Sequence, residues 1–397
     1  MYDFNHLMTG ERGASSAKWA QMKKINPNLP QDIIPLSVAD MEFKNPPAIT
    51  EGLQEFLSTA ILGYSYANDE YKEMVQAWMQ KRHGWEIESE WIVTSNGVVA
   101  ALYDAVRAYT EPGDGVIIMV PVYYPFYSAI RTNGREVVRN PLIIEQGKYT
   151  IDFDDLERCA EVTANKLLIF CSPHNPVGRV WEREELLRVA DICLRHNIVM
   201  VSDEIHFDLI LPGHRHTVWP TLSDRIAERC VVCTAPSKTF NLAGLKASNI
   251  IIADAGLRQR FKDEQAKTGN SGLNIMAYKA CELAYRHGEV WLDELLQTID
   301  QNRLRVEQFV RQHIPAIQVF PLEGTYLQWW DCRGLGLEYQ ELERFMVDQA
   351  WLFLDEGYWF GEEGQGFERV NLACPPMVLS SALERLKQAW QKHGLDS

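Results

Sequence analysis

Six short runs of continuous apolar or β-branched residues, separated by helical stretches, limit what this chain can fold into more than any other feature. They lie at residues 91–94, 115–120, 167–171, 198–202, 230–234 and 248–252. A strand that is apolar on both faces must be covered on both faces. Residues 96–109 and 182–196 supply helices for that purpose. In the second, Leu186, Leu187, Val189, Ala190, Ile192 and Cys193 form a broad apolar stripe. Strands alternating with such helices predict an α/β fold with a mostly parallel, doubly wound sheet. A ligand site then belongs at the carboxyl ends of the strands.

Residues 275–312 read as one long helix, stopped by Pro315. Residues 316–320 and 325–330 read as strands of a smaller antiparallel sheet, with helices at 339–349 and 380–393. The first fifty residues hold Pro27, Pro30, Pro35, Pro46 and Pro47 and little periodicity, so they are expected to wrap onto the C-terminal part. The expected division is a large α/β domain, 51–290, and a small α+β domain built from 1–50 and 291–397.

Charge and composition remove several classes of function. A net charge of −15 over 397 residues argues against nucleic acid or an anionic membrane as partner. No apolar run approaches the ~18 residues of a spanning helix, and the first residues lack the pattern of a secretory leader. The expected location is the cytoplasm. The eight cysteines sit mostly in apolar stretches and read as core. Cys230 and Cys233 have CxxC spacing but no second pair, so no metal site is expected. His214-Arg215-His216 follows Pro212-Gly213 and reads as an exposed turn. The glycine signatures of nucleotide sites and the HExxH of zinc sites are missing.

What remains is a set of polar groups at strand ends. Asn175 lies in the loop after 167–171. Asp203 and Glu204 follow 198–202. Lys238 follows 230–234. Asp203 comes 28 residues after Asn175, and Lys238 comes 35 after Asp203, about one α/β unit each. Singly, each has a plain explanation: a turn residue, a helix cap, a solvated lysine. Together they offer one cleft an amide, a carboxylate and an amine. Pyridoxal phosphate needs those three: lysine for a Schiff base, a carboxylate to keep the ring nitrogen protonated, an amide toward the ring oxygen. Gly97 and Val98 open a helix after a strand, where free N–H groups favour an anion. Ser237 and Lys246 can add a hydroxyl and a charge, and Tyr123 an aromatic face.

The chain resembles the fold-type I pyridoxal-phosphate enzymes of the aminotransferase class I/II superfamily. Within it the chain is similar to the MalY/PatB group of cysteine–sulfur β-lyases. The resemblance rests on Ser37-Val38-Ala39-Asp40-Met41-Glu42-Phe43, Gly63-Tyr64-Ser65-Tyr66, Ser202-Asp203-Glu204-Ile205-His206, Ser237-Lys238-Thr239-Phe240-Asn241 and the segment from Phe360 to Asn371.

It implies that Lys238 binds the cofactor covalently and later acts as base. Asp203 would pair with the ring nitrogen. Asn175, and His206 where many relatives have tyrosine, would contact the ring oxygen. Tyr123 would stack on the ring. Gly97, Val98, Ser237 and Lys246 would bind phosphate, with Ala235 where relatives often have a phosphate-binding serine. Arg369 would clamp the substrate carboxylate, beside Ala39 and Asp40. Tyr64 would reach the phosphate of a neighbouring subunit, implying a homodimer. The implied activity is β-elimination from cystathionine or a related sulfur amino acid, giving a thiol, pyruvate and ammonia. Transamination on the same scaffold, or cofactor binding without turnover, stay open. Trp329, Trp330, Tyr358 and Trp359 read equally well as pocket walls or as core.

Overall fold

The computed structural model describes residues 2–6, 16–30, 33–269 and 272–393. Its strands are β1 Ile92–Asn96, β2 Gly115–Val120, β3 Glu136–Pro141, β4 Ile143–Glu145, β5 Lys148–Thr150, β6 Asn165–Cys171, β7 Val199–Asp203, β8 Cys230–Thr234, β9 Ala247–Ile252, β10 Gln318–Val319, β11 Leu327–Asp331, β12 Asp355–Glu356 and β13 Phe367–Asn371. Seven form the main sheet, in the order β1-β9-β8-β7-β6-β2-β3. The pairs β2–β3, β2–β6, β6–β7 and β7–β8 are parallel. Strand β9 runs against both neighbours. The link from β8 to β9 contains only short helical turns, Pro236–Thr239 and Ala243–Leu245, so the chain doubles back instead of crossing over.

Strand alternation divides the core into two layers. Leu167, Ile169, Val199, Val201 and Cys233 face one side of the sheet; Leu168, Phe170, Met200, Cys230 and Val232 face the other. Cys230 and Cys233 therefore belong to opposite layers and cannot act as a pair. Helices Val98–Tyr109 and Ala255–Lys267 cover one face, and Arg183–Arg195 the other.

The smaller sheet is antiparallel, in the order β10-β11-β13-β12. The N-terminal segment hydrogen-bonds to β13 and to the residues before β12. Leu36 N–H donates to Phe353 O at 2.9 Å, and Asn371 N–H returns to Leu36 O at 2.9 Å. Trp329 and Trp330 are buried in this sheet, Trp329 stacked on Phe367 at 5.2 Å.

Two sequence expectations need correction. The long helix of 275–312 is two helices, Ile275–His287 and Glu289–His313, separated at Gly288. A Cβ there would lie 2.3 Å from Phe240 Cε1 and 2.5 Å from Ala284 O, so close packing forces glycine at the junction. The turn at 214–216 is only partly exposed. Gly213 adopts φ +92° and turns the chain back. His216 then drops inward, its Nε2 2.7 Å from Glu204 Oε2, because that fully buried carboxylate needs donors. Ser202 Oγ supplies another at 2.9 Å.

Candidate active site

The parallel strands deliver their ends to one cavity of about 430 Å³. Gly97, Val98, Tyr123, Asn175, Asp203, His206, Ser237, Lys238, Lys246 and Ala39 all line it. Register explains part of this convergence: Cys171, which closes β6, pairs with Asp203 at the end of β7, and Asp203 pairs with Cys233 on β8. Adjacent strand ends thus hold Asn175, Asp203 and Lys238 within one mouth.

Lys238 sits in the one-turn helix Pro236–Thr239 and donates from Nζ to Ala39 O at 2.7 Å. Tyr326 Oη donates to the same carbonyl at 3.0 Å. Desolvation, aided by the Arg369 charge, lowers the Lys238 amine to about 8. Burial raises the Asp203 carboxyl to about 7, although the Ile205 N–H and the Lys238 charge pull the other way. Burial, then the charges of Lys238 and Arg369, hold His206 well below the usual imidazole range, so its ring is neutral. Its Nδ1 is buried without a hydrogen-bond partner among the described residues.

Asn175 has a defined orientation. Its Oδ1 accepts from Arg369 Nη1 at 2.8 Å. A guanidinium can only donate, so the amide NH₂ is the group left for the cavity. Arg369 is buried on β13, bonded to Asp355 on β12, with its guanidinium 4.7 Å from the Phe360 ring centroid.

At the other end of the cavity the helix Val98–Tyr109 begins. Gly97 holds φ 96° and ψ 150°, a conformation open essentially to glycine. Its N–H is already bound to Ser95 O at 2.8 Å, so it shapes the turn rather than donating to an anion. The free donors are those of the first helical turn, from Val98 onward. Ser237 and Lys246 border the same region. Ala235 is fully buried and adds no donor.

Three expected residues stand apart. Asp40 does not line the cavity; its carboxylate lies 2.7 Å from Lys18 Nζ. Tyr64 is fully exposed on an irregular segment and does not line its own cavity. Arg369 reaches the cavity only past Asn175. Sequence reasoning also missed residues that hold the site. Asp355 gave no signal, being one acid among many. Asn371 lies in the Phe360–Asn371 motif and donates to Val38 O and Asp40 O, both at 2.7 Å, fixing the segment that presents Ala39.

Known proteins share this architecture. Cystathionine beta-lyase PatB of Bacillus subtilis is 44% identical over 377 residues, covering 95% of this chain and 97% of that protein. The crystal structure of cystalysin from Treponema denticola, which contains a pyridoxal 5′-phosphate cofactor, superposes with a TM-score of 0.97 at 46% identity, covering 99% of this chain and 100% of that one. A PLP-bound C–S lyase from Staphylococcus hominis superposes with a TM-score of 0.89 at 30% identity, covering 98% of both chains. The model of the family described as aminotransferase class I and II matches residues 31–386, and this chain belongs to that family.

Proposed function

We propose that this protein is a pyridoxal-phosphate-dependent carbon–sulfur β-lyase, cleaving cystathionine or related cysteine S-conjugates to a thiol, pyruvate and ammonia. The observation that carries this reading is the meeting of Lys238, Asp203 and Asn175 in one cavity, with Arg369 behind it. The names of the relatives, cystathionine beta-lyase and C–S lyase, support elimination over transamination.

The residues fit the cofactor. Among the described residues, His206 Nδ1 is a buried polar atom with no partner and the Asn175 amide has a free donor end. Lys238 would hold the aldehyde as a Schiff base, Tyr123 the ring face, and the first turn from Val98, with Ser237 and Lys246, the phosphate. When bound, the cofactor withdraws electrons from the substrate α-carbon and makes its proton removable. Once the substrate amine has displaced it from the aldehyde, the Lys238 amine, lowered to about 8 in the cofactor-free site, would have a useful neutral fraction near neutral pH and would take that proton. Asp203 would keep a proton on the ring nitrogen. Arg369 grips the substrate α-carboxylate with its planar fork.

The assembly in this reading is a homodimer. Ile61, Leu62, Tyr64 and Tyr66 all lie exposed on one irregular segment, apolar surface that a second copy would cover. Tyr64 would then reach the partner's phosphate site. No helix of the described residues is long and apolar enough to cross a membrane.

The test is an absorption spectrum with added pyridoxal phosphate, followed by a pyruvate assay on cystathionine with no 2-oxo acid present. Cofactor absorbance and pyruvate release are expected. Product that appears only after a 2-oxo acid is added would make the protein an aminotransferase.

A further inference from the structure

A groove beside the cavity has no part in the chemistry above. Tyr123 lines the cavity; Tyr124, next in the chain, lines a groove of about 360 Å³. Helix Pro125–Thr132 contributes Tyr127 and Arg131 to one wall, and Tyr358 and Trp359 form another. The groove and the carboxylate clamp share a neighbour in Phe360. Its ring centroid lies 4.7 Å from Arg369 Cζ and 6.2 Å from the Tyr124 ring. The buried Phe360 ring thus stands between the carboxylate clamp and the groove, which lie one aromatic ring apart.

The charges in the groove are unequal in their engagement. Glu362 and Glu363 both bind Arg139. Arg131 has no acidic partner among the described residues. Its guanidinium lies 5.4 Å from the Tyr127 ring centroid. A guanidinium stacked on an aromatic face keeps its in-plane donors for a carboxylate. Glu362, at 80% side-chain exposure, keeps room for an ammonium beside its single contact to Arg139. Aromatic walls with a free cation and a nearby carboxylate complement an amino-acid head, not a bare alkyl chain.

We propose that this groove is a subsite for the far end of the substrate: an amino-acid head beyond the sulfur, as in cystathionine, whose carboxylate meets Arg131. The assignment rests on the lyase reading, since the head must hang from a β-sulfur.

Steady-state kinetics on wild type, Arg131→Gln and Arg131→Glu test it with three substrates. Cystathionine has the zwitterionic head, S-ethylcysteine has none, and S-(2-aminoethyl)cysteine has a cationic end. Exposed ion pairs are weak, so Arg131→Gln should lower kcat/KM for cystathionine about threefold to tenfold, and Arg131→Glu further. S-ethylcysteine should stay within about twofold, and S-(2-aminoethyl)cysteine should improve in Arg131→Glu. Equal changes on all three substrates, or none, overturn the subsite and leave the lyase reading intact. A wild type that releases pyruvate from none of them overturns both.

Discussion

Arg369 and Asp355 face each other across β13 and β12, and Nε and Nη2 of the buried guanidinium both donate to Oδ2 of that carboxylate. The same Oδ2 accepts from Val38 N–H at 2.9 Å, while Arg369 Nη1 holds Asn175. One ion pair thereby joins the N-terminal segment, the smaller sheet and the loop after β6.

Asp355→Asn should loosen this grip. A hydrogen bond to a charged group contributes ~1.5–3 kcal/mol, so KM for cystathionine should rise about tenfold or more while kcat changes far less. An unaltered KM in steady-state assays would show that Arg369 is held, or acts, in some other way.

Lys238→Ala should release no pyruvate yet fold normally. Its folded value of about 8 lies below the 10.5 of a free lysine, so below pH 8 the desolvated cation costs stability. That cost fades between pH 8 and 10.5 as the folded amine loses its proton. In the cofactor-free protein the variant's melting temperature should at least match wild type at pH 7, with any advantage shrinking by about pH 10.5. Retained pyruvate release would remove Lys238 from its role.

Asp203→Asn should make the same trade of activity for stability, with the opposite pH dependence. The carboxyl rises from 3.8 to about 7 on folding, so the folded state clings to a proton the unfolded chain gives up. Stability is lost as pH climbs through that window, up to about 4 kcal/mol at 1.36 kcal/mol per unit. Without cofactor, Asp203→Asn should melt higher than wild type at pH 8 and equally near pH 3.5. With cofactor, its turnover should collapse. Identical melting curves at pH 8 would contradict the buried carboxylate.

Gly97→Ala meets no steric obstacle, since nothing lies within 4 Å of the added Cβ. Its cost is conformational, on the order of 1–3 kcal/mol at φ 96°. The helix start should shift and cofactor affinity should fall about tenfold by equilibrium titration, while catalysis at saturating cofactor survives. Unchanged affinity would move the phosphate elsewhere.

Much of the site could be read from the chain because strand ends can be read. The run 230–234 matches β8 residue for residue, and it placed Lys238 just past the carboxyl end of an interior strand without any partner being known. Strand β3 escaped notice because it is a sheet edge: Glu136–Pro141 is half exposed and carries polar residues among its valines. Strand β12 has only two residues, too few for any periodicity. Asp355 and His216 had no local signal, since each acquires its meaning from a partner that packing brings alongside.

By itself the sequence determined most strands of the main sheet, the helices between them, and the chemical identity of the amine, acid and amide. Those depend on apolar periodicity and on position within one α/β unit, both local properties. The tertiary structure alone decided that Arg369 pairs with Asp355 and steadies Asn175, that Gly97 shapes rather than donates, and that Asp40 turns to Lys18. It also set the protonation of Lys238 and Asp203. Such outcomes depend on desolvation and on contacts between residues as much as 317 positions apart, which exist only once the chain has closed on itself.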